Sequence, residues 1–315
     1  MRKYLGNVIA VIVVLAGIVL GFCGGVTLSA LQLKTLVVLG IVAGCSALYC
    51  FAAGEITGNT SQMDKLWSLL PIAYLWIVAI RGGLHLRLVI MAVLVTLWGI
   101  RLTYNFGLKG AYTLKFWSGR EDYRWQVLRQ SKYLKNRFVW ALFDLLFISV
   151  YQNALVLAIC LPALACMDSA VSFGAVDGIA AALVLGFLVL ETTADRQQWN
   201  FHNEKNRLLG EGKTLEQLPE PYCRGFNTTG VWAYSRHPNY FSEQAVWICL
   251  YLFCIGAGVT HWGVFHWSIA GCLLLVLLFM GSSAFGESVS NGKYPQYARY
   301  RQTVSKYVPW KKYEP

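Results

Sequence analysis

Eight apolar stretches, at roughly 4–24, 34–53, 67–80, 86–106, 139–162, 171–193, 240–258 and 262–285, divide this sequence. A bilayer's hydrocarbon core takes about 17–25 residues of apolar helix to cross, and only the third stretch falls short of that. Lipid offers no partner to backbone N–H and C=O groups, so each crossing segment has to bond its own backbone, as a helix does. The expectation is an all-α chain: a polytopic membrane helix bundle of about eight transmembrane helices. Composition agrees, with 56% hydrophobic and only 14% charged residues and a mean hydropathy of +0.47. A soluble protein of 315 residues needs more charge to cover its surface. Arg2 and Lys3 before the first run resemble the start of a signal peptide, but the run is too long for one and no small-residue cleavage site follows, so it is read as a span.

The formal net charge of +11 falls between the apolar runs and at the C-terminus. No recognition motif or basic helix stripe accompanies it, so nucleic acid is not an expected partner. Basic residues accumulate on the cytoplasmic side of a membrane. The 109–137 loop carries Lys109, Lys115, Arg120, Arg124, Arg129, Lys132, Lys135 and Arg137, and the tail carries Lys293, Arg299, Arg301, Lys306, Lys311 and Lys312. Eight crossings put both segments, the 54–66 connection, the 194–238 loop and the N-terminus on that one side, with Arg81 and Arg87 the contrary feature. The expected location is therefore an integral membrane protein, of a bacterial inner membrane or the endoplasmic reticulum, with its site facing the cytoplasm. No fixed-period repeat, low-complexity tract or Pro/Gly linker interrupts the chain. It reads as one membrane domain, 1–315, whose N-terminal spans occupy 1–60 and whose chemistry lies in 61–315.

Seven of the nine cysteines, from Cys23 to Cys272, sit in apolar runs as small hydrophobes, and no CxxC pair occurs. There is no HExxH, Walker loop, GxSxG or Cys/His metal spacing. Polar residues recur instead at helix ends. Glu191, Asp195, Gln198 and His202 follow spacings of four, three and four, which place them on one helix face. Ionisable groups at membrane depth are costly and point into a bundle or a wet cavity. The segment Tyr234-Ser-Arg236-His237-Pro238-Asn239-Tyr-Phe-Ser-Glu243 carries the most information. Pro238 suits a first helical turn, whose free N–H groups beside Arg236 could hold a phosphate. Asn239 and Glu243 share a face of that helix, and a Glu243–Arg236 ion pair that only fixes packing is the structural alternative. The tail, Lys293-Tyr-Pro-Gln-Tyr297 to Val-Pro-Trp310, suits an anionic planar ligand or lipid headgroups equally. Upstream, Asp64 and Arg101 are positioned to pair, while Trp67 and Trp98 also suit an interfacial belt.

These motifs resemble the C-terminal region of steroid 5-alpha-reductases and sterol reductases, over most of residues 60–310 and most strongly at 234–243. The nearest resemblance is to uncharacterised relatives of those enzymes, through Asp64-Lys-Leu-Trp-Ser with Pro71, Arg101-Leu-Thr-Tyr-Asn105 and Glu121-Asp-Tyr-Arg-Trp125. The resemblance implies core motifs at 191–310 and NADPH held between helix ends and tail, with Glu191, Asp195, Tyr234, Arg236, His237, Asn239, Glu243 and Tyr297 at cofactor-binding positions. It implies reduction of a carbon–carbon double bond in a lipid or steroid-like substrate near Trp67, Trp98 and Arg101. The proton would come from Asp64 or Tyr104. Membrane lipids are the only other partners expected, and no obligate protein partner is. The steroid reductases carry Tyr three residues before the Arg, where this chain has Trp98, and their early catalytic Glu has Asp64 as its nearest counterpart. A similar corner before a span occurs in S-adenosylmethionine-dependent membrane methyltransferases of isoprenylcysteine or phospholipids, the alternative reading.

Overall fold

The computed structural model of the chain describes residues 2–313, with side chains from residue 7 onward, so those of Arg2 and Lys3 lie outside the description. Every apolar run is a helix: α1 (Arg2–Phe22), α2 (Ala30–Thr57), α4 (Leu70–Arg81), α5 (Leu86–Leu108), the composite α7 (Arg137–Phe143) and α8 (Gln152–Ala165), α9 (Ala175–Gly210), α10 (Pro238–Gly256) and α11 (Ile269–Lys293). Short helices α3 (Gln62–Leu66), α6 (Tyr123–Arg129) and α12 (Tyr297–Thr303) lie in the polar connections. Helices α2, α5, α7 with α8, α9 and α11 are each long and apolar enough to cross a membrane. No strand occurs among the described residues, only two isolated bridges. The chain is a polytopic membrane helix bundle.

Two compact units divide it: Met1–Ala181 with Cys249–Leu274, and Ala182–Ile248 with Leu275–Pro315. In the first, α2 packs on α8, and α4 packs on both α5 and α8. Its core is built from large apolar side chains, among them Trp98, Tyr74, Met91 and Leu75, all almost fully buried. Helices in lipid approach through small residues. A Cβ added to Gly271 of α11 would collide with the backbone of Ala158 in α8, so only glycine allows that crossing. Between α7 and α8 the helix widens into a π-helical stretch, Asp144–Tyr151.

Trp98 is wholly buried, a core position instead of an interfacial belt. Arg87 is also inside: its guanidinium holds Asp177 of α9 through Nε (2.7 Å) and Nη2 (2.9 Å) and donates to the carbonyls of Val171, Ser172 and Gly256. A cation at the end of a span thus serves as a fastener among three helices.

In the second unit, α9 runs on to Gly210, well beyond its apolar part. The polar stripe from Glu191 to His202 is therefore helical throughout. The tail folds back, and its tyrosines pack with Phe226 into an aromatic cluster of Tyr294, Tyr297, Tyr300, Val304 and Tyr313.

Candidate functional site

The 225–238 loop of the second unit is held on two sides. Toward α9, Lys205 Nζ donates to the Gly225 carbonyl (2.8 Å), Trp232 Nε1 donates to the Ala194 carbonyl (2.9 Å), and the Val231 N–H donates to Gln197 Oε1 (2.9 Å). Toward the tail, Tyr300 OH donates to the Trp232 carbonyl (2.5 Å) and the Tyr313 N–H to the Ala233 carbonyl (2.7 Å). Gly225 has φ of +81°, and a Cβ there would strike the Tyr294 ring. The loop is fixed before it reaches α10.

Its end, Ser235 to His237, pairs with the tail: the N–H groups of Arg236 and His237 donate to the carbonyls of Ser305 (3.0 Å) and Lys306 (3.1 Å). Arg236 is almost fully engaged. Its Nε bonds Glu287 Oε1 of α11 at 2.8 Å, and its Nη1 donates to the carbonyls of Arg301 (2.7 Å) and Val304 (2.5 Å). The ion pair considered with Glu243 is therefore made with Glu287, which also meets His237 Nε2 at 3.1 Å and Arg301 Nε at 3.1 Å. Burial lowers the His237 pKa, against the pull of Glu287, and the ring stacks on Tyr240. Glu287 is the residue that organises this corner.

Beyond the corner, Asn239 Nδ2 donates to Asp195 Oδ1 at 3.1 Å. That bond sets two polar pairs, Glu191 and Asp195 on α9 and Asn239 and Glu243 on α10, on facing helices of this unit. Glu191 and Glu243 are almost fully buried, and Glu243 Oε1 accepts from Trp247 Nε1 at 3.0 Å. Gln198 Nε2 bonds His202 Nε2 (3.1 Å). Two buried amide atoms, Gln198 Oε1 and Asn227 Nδ2, find no protein partner. One acceptor and one donor of this unit are thus left open to a partner from outside the protein. Tyr234 is exposed, whereas Tyr297 is buried in the aromatic cluster.

The first unit has its own polar end. Lys65, almost fully buried, donates to the carbonyls of Phe116 (2.8 Å) and Ser118 (2.6 Å), so α3 carries the basic loop on an ammonium group. Glu121 Oε1 accepts from the Thr60 N–H (2.9 Å) and hydroxyl (2.8 Å) and from Arg129 (2.9 Å). Asp64 Oδ2 accepts from Trp125 Nε1 at 2.8 Å, with Arg124 3.9 Å from its other oxygen. Desolvation raises the Asp64 pKa and Arg124 opposes that. Trp67 and Arg101 are half-buried, while Tyr104 is 61% exposed on α5. Of the two acids, only Asp64 sits in a built environment. The fastening roles of Lys65, Glu121 and Glu287 are carried by partners 50 or more residues away in sequence, and no local pattern marks them.

The family model described as "Protein of unknown function (DUF1295)" matches residues 50–304. An uncharacterised protein of Schizosaccharomyces pombe is 36% identical over 262 residues, covering 80% of this chain and 73% of that protein. No solved structure matches. A family match across most of the chain, together with that relative, establishes that this protein belongs to the DUF1295 family.

Proposed function

We propose that the protein is an NADPH-dependent membrane reductase acting on a carbon–carbon double bond of a lipid, steroid or sterol-like substrate, with its chemistry on the cytoplasmic face. The observation that carries this reading is the Asn239–Asp195 bond, which joins the polar pairs of α9 and α10 that match cofactor-facing positions of the steroid reductases. Glu191, Asp195, Asn239 and Glu243, with the open amide atoms of Gln198 and Asn227, are the groups to hold the cofactor. Bound NADPH supplies a hydride. Arg236 and His237 act through Glu287, keeping the start of α10 and the tail in one position. Tyr297 acts likewise from within the aromatic cluster.

Reduction of a polarised alkene also takes a proton at the second carbon. Asp64 is the candidate for that task, because burial raises its carboxyl pKa above that of an exposed one, against the pull of Arg124. Trp67 and Arg101 are the substrate-facing candidates in the same unit.

Purified protein in detergent tests the cofactor directly, since a ligand that binds only the folded state raises stability by about 2.7 kcal/mol at a hundredfold excess over Kd. NADPH should raise Tm and S-adenosylmethionine should not. Asn239→Ala should remove most of the NADPH effect while leaving the melting temperature of the unliganded protein close to wild type. Stabilisation by S-adenosylmethionine alone would make the chain a methyltransferase, and stabilisation by neither would make it a lipid-binding scaffold. NADPH consumption against a panel of enones then identifies the substrate class.

A further inference from the structure

The interior of the first unit holds a row of polar groups that takes no part in the chemistry above. On α2, Ser46, Cys50 and Gly54 recur every fourth residue, on the side that packs against the π-helical stretch and α8. The opposing helix presents Asp144, Ser149 and Asn153, and α4 adds Tyr74. These side chains are almost fully buried. Ser149 Oγ donates to Asp144 Oδ1 (3.2 Å), and Asn153 Nδ2 donates to the Ser149 carbonyl (2.7 Å) and approaches Cys50 Sγ (3.8 Å). A Cβ at Gly54 would lie 3.0 Å from Asp144 Oδ2, so glycine there makes room for the carboxyl group. Helix α4, which carries Tyr74, packs against both α2 and α8.

Four atoms along this row have no hydrogen-bond partner in the protein: Ser46 Oγ, Tyr74 OH, Asp144 Oδ2 and Asn153 Oδ1. A buried polar group left unpaired is destabilising, and four together approach the whole stability of an ordinary fold. Two of the four are hydroxyls that can donate, and one is an amide oxygen that can only accept. Internal water, which bonds two to four polar neighbours of either kind, satisfies all of them.

Asp144 sets the charge of the row. Of the cations near it, Arg137 is paired with Glu55 (2.7 Å) and Arg129 with Glu121 (2.9 Å), and Glu55 is itself a like charge. Among the described residues, no basic side chain bonds Asp144. A bare carboxylate inside a bundle is costly, and protonation is the way open to a carboxyl group with no bonded cation to avoid that cost. The π-helical backbone beneath it is a rare form that recurs at functional sites.

We propose that this row is a hydrated proton path, in which internal waters bridge Asp144, Asn153, Ser46 and Tyr74 and Asp144 carries the exchangeable proton at the end nearest Thr60. Exchange conserves every atom: Asp144 passes its proton to the adjacent water while that water returns one of its own to the carboxylate, so the row ends with the protonation it began with. The path is independent of the cofactor reading and holds whether or not the protein binds NADPH.

Infrared spectroscopy of the full chain in lipid nanodiscs tests it. A protonated-carboxyl band that disappears in Asp144→Asn should shift in D2O far faster than the amides of the helical core exchange. Absence of such a band, or exchange as slow as those amides, overturns the proposal. Tyr74→Phe and Ser46→Ala provide a second readout that does not depend on Asp144→Asn folding. Each removes a hydroxyl that water satisfies, so each should lower Tm by about 2–4 °C. A melting temperature unchanged or raised by both would mean a dry row whose hydroxyls were a burden, and the path would be excluded.

Discussion

Asp64 and His237 place opposite pH signatures on the folded protein. Burial raises the Asp64 pKa, so the native state binds a proton more tightly than the unfolded chain. The stability this contributes is complete below the ordinary carboxyl value, about 3.9, and is lost as pH rises through the raised one. Burial lowers the His237 pKa, so its contribution is present above the ordinary imidazole value, about 6.5, and is lost as pH falls through the lower one. Melting temperature followed across pH should accordingly lose part of its decline as pH rises above the ordinary carboxyl value in Asp64→Asn, and part of its decline as pH falls below the ordinary imidazole value in His237→Gln. Profiles parallel to wild type would show that neither group titrates differently on folding. Both residues stand out in the sequence as polar positions at the edge of apolar runs. Their environments do not, because Trp125 and Glu287 reach them from 61 and 50 residues away. Arg236 shows the same limit: a cation beside a helix start reads as an anion site, yet its donors are turned to Glu287 and to tail carbonyls.

Among the elements, those with a strong local signal were legible. Pro238 marked the start of α10, whereas the segment from residue 194, read as the opening of a 194–238 loop, is helical as far as Gly210, because the spacings of four, three and four past Leu190 keep one polar face after the apolar run ends. The basic loop was not readable, since its shape depends on a single buried ammonium. Replacing Lys65 by Met removes the donor to the Phe116 and Ser118 carbonyls and leaves those acceptors unsatisfied. Hydrogen exchange at residues 110–122 should rise at least tenfold, and unchanged protection would show that the loop holds without it. Arg87 fastens a larger assembly. Arg87→Ala leaves Asp177 buried without its cation, a change that costs about 3–5 kcal/mol. A loss of Tm of only a degree or two would mean that water replaces the guanidinium. Neither the π-helical stretch nor the aromatic cluster of the tail had a sequence signature, because widening a helix and folding a tail back both depend on packing by distant residues.

For the molecule as a whole, the arrangement of charge about the spans constrains more than any single motif. Arg81 and Arg87 stood against the positive-inside pattern, and the structure removes one of the two: Arg87 is consumed in an internal ion pair, while Arg81 Nε donates to the neutral hydroxyl of Thr35 of α2 at 2.9 Å. Arg87 is therefore not a free loop charge of the kind that sets orientation, whereas Arg81 stays exposed and keeps its charge. With Arg87 set aside, the positive-inside rule predicts a cytoplasmic position for the 109–137 loop and for the tail, and a count of eight crossings predicts the opposite side for the 261–266 turn. Single cysteines introduced as Lys132→Cys, Lys311→Cys and Trp262→Cys, all at exposed positions, test this in a background where Cys23, Cys45 and Cys223 are serine. In intact cells an impermeant thiol reagent should label only the position-262 variant, and the other two should react only after the membrane is opened. Labelling of position 311 without permeabilisation would place the tail, and with it the Glu287 corner that holds α10, on the face away from cytoplasmic NADPH. The cofactor assignment would then fail on access alone, whatever the polar pairs of α9 and α10 are built to hold.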